Sequence, residues 1–149
     1  MLDAAACRQV RKLLLDNGDT SKIPRMLAAA TTLIQVTWLP NPAKEGGEGL
    51  FEPTVANMEH IAAASASIQN LLLAATARGI PSYWSSGGAL RERAFFAQLG
   101  IPDREVLLGS VFLFPAELEN TENVPGKLRE KRGATAEWAR WARIGGESA

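Results

Sequence analysis

The sequence predicts a mixed fold of helices and strands, and two contrasting observations carry that expectation. Residues 54–78 contain neither proline nor glycine, are dense in alanine and end at Gly79, as one long helix with a glycine terminator would. Residues 31–39 (TTLIQVTWL) and 106–114 (VLLGSVFLF) are instead apolar runs rich in β-branched or aromatic side chains, as buried strands are.

Taken in chain order, residues 3–15 place Ala6, Val10, Leu13 and Leu14 at helical spacing before a stop at Asn17-Gly18. Residues 21–30 predict a second helix with Pro24 in its first turn, where a missing N–H is harmless. The strand over 31–39 ends at Pro40-Asn41-Pro42, which a central strand could not continue through. Residues 40–53 hold three prolines and three glycines. They predict an exposed loop, a place where many enzymes vary their substrate-facing surface. In the long helix, the small residues from Ala62 to Ser67 leave little side chain between helix axes, whereas Ile68, Leu71, Leu72 and Leu73 fill space. A central, closely packed helix is expected.

Residues 80–84 predict a short strand, 85–88 a turn, and 89–99 a helix stopped by Gly100 and Pro102. The strand over 106–114 is expected to be buried on both faces, with Gly109 marking a close approach of backbone or ligand. Beyond Pro115 the chain turns polar. Residues 116–128 read as an extended connection, and Trp138, Trp141 and Ile144, three apart, as one bulky apolar stripe.

A length of 149 residues suits one domain, 1–149, with its own core. Sixteen basic and sixteen acidic side chains cancel, so no broad positive field exists to hold a nucleic acid or an anionic membrane. Cys7 is the single cysteine, which excludes an internal disulfide and any multi-cysteine zinc site and suits a reducing compartment. The opening stretch, with Asp3 and only a short apolar run, resembles neither a signal peptide nor a membrane span, so a cytoplasmic protein is expected. His60, the one histidine, lies inside the long helix, where a surface or satisfied core role outweighs a catalytic one. No nucleophile elbow, P-loop, dinucleotide fingerprint or H-E-x-x-H pair occurs.

From Ser67 the chain reads SIQNLLLAATARGIPSYWSSGGAL and then LGIPDREVLLGSVFLF. No piece of this is specific alone, but order and spacing together are: the QNLLLAA helix, Gly79, the WSSGG turn, the LGIP helix end and the apolar strand. In that order the chain resembles the C-terminal half of nitroreductase-like, FMN-dependent oxidoreductases. The resemblance implies an α+β fold, with a central β-sheet flanked by helices and the long helix at a homodimer interface where FMN binds. It also implies ping-pong transfer of a hydride from NAD(P)H to a small-molecule substrate of the nitroaromatic or quinone type, with the flavin rather than a side chain carrying the chemistry.

At residue level, the resemblance places Trp84, Ser85, Ser86, Gly87 and Gly88 against the flavin. A flat ring needs a wall that offers backbone N–H groups, and glycines let the backbone come close. On this reading a valine at Gly87 would intrude on the ring and weaken cofactor binding more than stability. An ordinary strand-to-helix turn with Ser86 as its cap accounts for the same residues without a ligand. Lys127 and Arg129 match the basic pair that holds the FMN phosphate in related proteins, and alternation along an extended segment would put both on one side. The surrounding KLREKR reads equally as a solvated, charged linker.

The chain departs from the family at its N-terminus. Related proteins open with an Arg-Arg-Ser-like segment and a Ser-x-x-Asn-x-Gln-Pro-like segment that contact the cofactor, and neither is found here. Arg8 and Arg11 echo the first faintly, but their spacing matches the helix that follows it, so no ligand is placed on them. The expectation is an N-terminally shortened domain: a fragment, a shortened gene product or a divergent member, all three open at this level. The rival reading is a dimerisation or interaction module that keeps the fold without the cofactor.

Overall fold

The computed structural model describes residues 1–43, 51–117, 131 and 133–139. The chain falls into two compact units, Met1–Leu118 and Glu119–Ala149. The first unit runs β1 (Leu2–Asp3), α1 (Ala4–Asp16), α2 (Ile23–Ala29), β2 (Thr32–Trp38), α3 (Val55–Ala77), β3 (Ser82–Ser85), a 3₁₀ turn (Gly88–Arg91), α4 (Arg93–Leu99) and β4 (Val106–Leu113). In the second, the described residues form one short helix, α5 (Thr135–Trp138). The expected connection over 116–128 lies almost wholly outside the described residues, as do Trp141, Ile144 and the side chain of Trp138.

Helix α1 forms because Asp3 caps it, its carboxylate accepting the Ala6 N–H at 2.8 Å. The apolar spacing of the helix then buries Cys7, Val10 and Leu14 on one side. Burial pushes the Cys7 thiol above its ordinary pKa, which keeps it a neutral core residue. Arg8 crosses to α2 and donates to the carbonyls of Leu27 and Ala30, satisfying groups at the helix end that have no intrahelical partner. Strand β1 is an addition to the expected elements. Its two residues pair antiparallel with β2, Leu2 opposite Leu33, and a two-residue strand has no periodicity to read.

The sheet is antiparallel throughout, in the order β1-β2-β4-β3. Between the pairs Val36↔Gly109 and Thr37↔Leu107 the register shifts, leaving Leu108 as a bulge in β4. One face carries Leu33 and Phe112 into a core shared with Val10 and Leu14 of α1, Leu27 of α2, Leu90 of the 3₁₀ turn and Phe95 of α4. Lys22, which precedes α2, donates to the Tyr83 hydroxyl at 2.5 Å and so ties α2 to the edge strand β3.

Helix α3 lies along β2, β3 and β4. Thr54 caps it by accepting the Asn57 N–H at 3.2 Å. At its far end Gly79 adopts φ 67°, and the N–H groups of Gly79 and Ile80 return to the carbonyls of Thr76 and Ala75. The close packing expected of this helix is met within the chain along one stripe only. Of its 23 residues only Asn57, Ile68 and Ala75 are buried, while Val55, Met58 and Leu73 are 67, 52 and 58% exposed. A helix laid on a sheet buries one stripe, and an apolar sequence that continues around it stays uncovered within the chain.

The single helix expected over 89–99 is also corrected, because Glu92 is extended (ψ 141°) and separates the 3₁₀ turn from α4. Leu90 and Phe95 both enter the core, yet residues five apart on one α-helix point about 140° apart. The break lets both face inward.

Asn57 is fully buried. Its side chain accepts the Asn41 N–H and donates to the carbonyls of Asn41 and Glu52, so it holds both ends of the 41–52 connection to the start of α3. Asn57→Ala removes three hydrogen bonds from a buried side chain and is expected to lower unfolding free energy by about 2–4 kcal/mol, read from urea denaturation midpoints.

Candidate functional site

The expected turn follows β3 at the end of the sheet. Antiparallel pairing sets Trp84 opposite Val111 and Ser85 opposite Ser110. Trp84 is 37% exposed and its indole lies across Gly109, where an added Cβ would fall 2.6 Å from Trp84 Cδ1. The close approach expected at Gly109 from backbone or ligand is made instead by this indole side chain.

Ser85 is buried, and its hydroxyl accepts the Gly87 N–H at 3.2 Å. The side chain that braces the turn is thus Ser85, whereas no side chain caps the 3₁₀ turn that begins beyond Gly87. Two consecutive glycines take positive φ, 106° at Gly87 and 53° at Gly88, a conformation that side chains with a Cβ rarely adopt. Behind them Ser110 is fully buried and donates to Gln35 Oε1 at 2.5 Å. Gln35 Nε2 is buried with no hydrogen-bond partner among the described residues.

Arg91 is a functional candidate that the sequence did not reveal. Its Nε and Nη2 donate to the Ser86 carbonyl at 3.0 and 2.5 Å, and its Nη1 donates to the Leu107 carbonyl at 2.7 Å. An arginine near the start of an expected helix reads as a solvated charge; only the 3₁₀ geometry turns it back over the preceding residues.

The arrangement brings Trp84, Ser85, Ser86, Gly87 and Gly88 together, and Lys127 and Arg129 lie outside the described residues. Among the described residues the amide N–H groups of Ser86 and Gly88 have no partner, and both residues are exposed. The site therefore offers two backbone donors beside an exposed indole.

Gly87 itself is filled from within the chain, since a Cβ there would lie 2.7 Å from Leu107 Cδ2 and 3.6 Å from Ser110 Oγ. Beside the effect on cofactor binding expected from sequence, Gly87→Val therefore carries a structural one, because it meets Leu107 within the chain. Strained φ and overpacking together should cost about 2–4 kcal/mol. Thermal denaturation of the apo-protein checks this without a cofactor.

The family model described as the nitroreductase family matches residues 8–113, most of the chain. No curated protein matches it in sequence. Among solved structures, the chain is similar to a nitroreductase from Bacteroides fragilis crystallised with bound FMN, at 19% identity and a TM-score of 0.44, over 83% of this chain and 67% of that one. With the match spanning α1 to β4 and containing the turn between β3 and α4, the chain belongs to the nitroreductase family.

Proposed function

We propose that the chain binds FMN at the turn formed by Trp84, Ser85, Ser86, Gly87 and Gly88 and works as an NAD(P)H-dependent oxidoreductase on nitroaromatic or quinone-type acceptors. The observation that carries this reading is the pair of unpartnered N–H donors at Ser86 and Gly88. They match the acceptor atoms along a flavin edge, and the positive φ of Gly87 and Gly88 shapes the turn that presents them. When bound, the cofactor supplies two-electron transfer from NAD(P)H to the acceptor in ping-pong order. The chain's own part is to bind and orient: Ser86 and Gly88 present donors and Trp84 presents a flat apolar face. Lys127 and Arg129 are assigned to the phosphate, arginine by a bidentate grip and lysine as a point charge.

Titrating apo-protein with FMN tests the reading. A yellow complex whose affinity falls about tenfold or more in Lys127→Ala/Arg129→Ala, with unchanged melting, is the expected result. A colourless protein that FMN cannot reconstitute would favour the cofactor-free dimerisation module.

A homodimer built on α3 belongs to the same proposal. The exposed Val55, Met58 and Leu73, together with the small residues between them, present more apolar surface than a soluble monomer normally shows. This surface is assigned to a second copy and, with a single cysteine in the chain, the protein to the cytoplasm; among the described residues no helix is long and apolar enough to cross a membrane. Sedimentation at micromolar concentration should give a dimer, and Leu73→Glu should shift it toward monomer.

A further inference from the structure

Arg91 closes the 3₁₀ turn, and its guanidinium reaches back five residues to Ser86. Two of its nitrogens share the Ser86 carbonyl and the third takes the Leu107 carbonyl, so one planar fork ties the turn to the beginning of β4. The Ser86 carbonyl is half of the Ser86-Gly87 peptide unit. The other half, the Gly87 N–H, points the opposite way in a trans unit and donates to the Ser85 hydroxyl. Both polar ends of this peptide are used inside the chain, and its plane cannot rotate without breaking three hydrogen bonds.

The flanking N–H groups, at Ser86 and Gly88, are the ones left without a partner among the described residues. Their directions follow from the dihedrals on either side of the locked plane, those of Ser86 and Gly87. We infer that Arg91 is a positioning residue: by locking the Ser86-Gly87 peptide it holds the Ser86 and Gly88 donors aimed at a ligand edge before the ligand arrives. The ligand-directed part of this inference rests on the FMN reading; the locking does not. Hydrogen bonds from a charged donor are the stronger kind, and a lysine at 91 would keep the charge but could not fork across two carbonyls.

The experiment compares wild type, Arg91→Lys and Arg91→Ala as full chains, first without cofactor. Amide hydrogen exchange at Gly87 should speed up about tenfold or more in both variants, while the amides of α1 keep their protection. FMN titration should then show affinity about tenfold weaker in both variants, lysine giving no rescue. Unchanged exchange at Gly87 overturns the lock. Faster exchange with wild-type FMN affinity overturns the positioning role toward the cofactor. If wild type itself binds no FMN while Gly87 exchange responds as expected, the lock stands and the FMN reading falls. The α1 amides report any general loosening, and if the alanine variant loosens throughout, the lysine variant decides.

Discussion

Strand β4 is hydrogen-bonded along both edges, to β2 and β3, and Val106, Leu107, Ser110, Val111 and Phe112 along it are buried. A strand held this way has one register, because a one-residue slip would turn Phe112 away from the core it shares with α1, α2 and α4 and put the smaller Val111, buried on the opposite face, in its place. The position of the site follows from that constraint. Ser85 lies beside Ser110 because β3 is in register with β4, Gly109 leaves room for the Trp84 indole, and Leu107 fills the space in front of Gly87. The bulge at Leu108 comes between these two contacts. Because a bulge changes which side chains share a face, it allows Leu107 and Ser110 both to approach Gly87.

How far the fold could be read from the sequence depended on whether the signal was local. The helix at 55–77 was legible because one uninterrupted stretch lacks both breakers and ends at a glycine whose φ is 67°. Strands β2 and β4 were legible from continuous apolar runs of strand length, and both lie within the predicted bounds. Strand β1 was not, since two residues carry no pattern. The break at Glu92 was hidden for a different reason: residues 89–99 read individually as helix formers, and the placement of Leu90 and Phe95 in one core, which the break favours, depends on contacts distant in sequence. The exposure of Val55, Met58 and Leu73 was legible only in kind, as apolar surface on a helix expected at an interface, because composition reports how apolar a helix is, while burial within one chain depends on how many partners surround it.

The site divides in the same way. Consecutive glycines after a short strand announce a turn with unusual dihedrals, and Gly87 and Gly88 have them. The sequence did not reveal which serine braces that turn. Ser85 and Ser86 are adjacent and chemically identical, and only the pleat decides that Ser85 faces inward to meet the Gly87 N–H. Nor did it reveal which way Gly87 looks, because the contact with Leu107 spans twenty residues and depends on the bulge. Arg91 was illegible for the reason that makes it useful: its partners are backbone carbonyls, which every residue possesses and no sequence pattern marks.

The turn's internal bonds bear directly on what it can do for a ligand. Backbone donors in a free loop sample many directions, and ordering them on binding would offset much of what their hydrogen bonds contribute. Here the ordering is already in place. Ser85 and Arg91 hold opposite ends of one peptide, Leu107 blocks movement of Gly87 toward the strand, and the 3₁₀ turn anchors Leu90 in the core. The two donors that remain are presented by a rigid frame, so a flat acceptor meeting them gains hydrogen bonds without fixing any flexible segment of this turn. On the proposed FMN reading, such preorganisation suits a site whose side chains perform no proton chemistry, since orientation is then the chain's main contribution to the reaction.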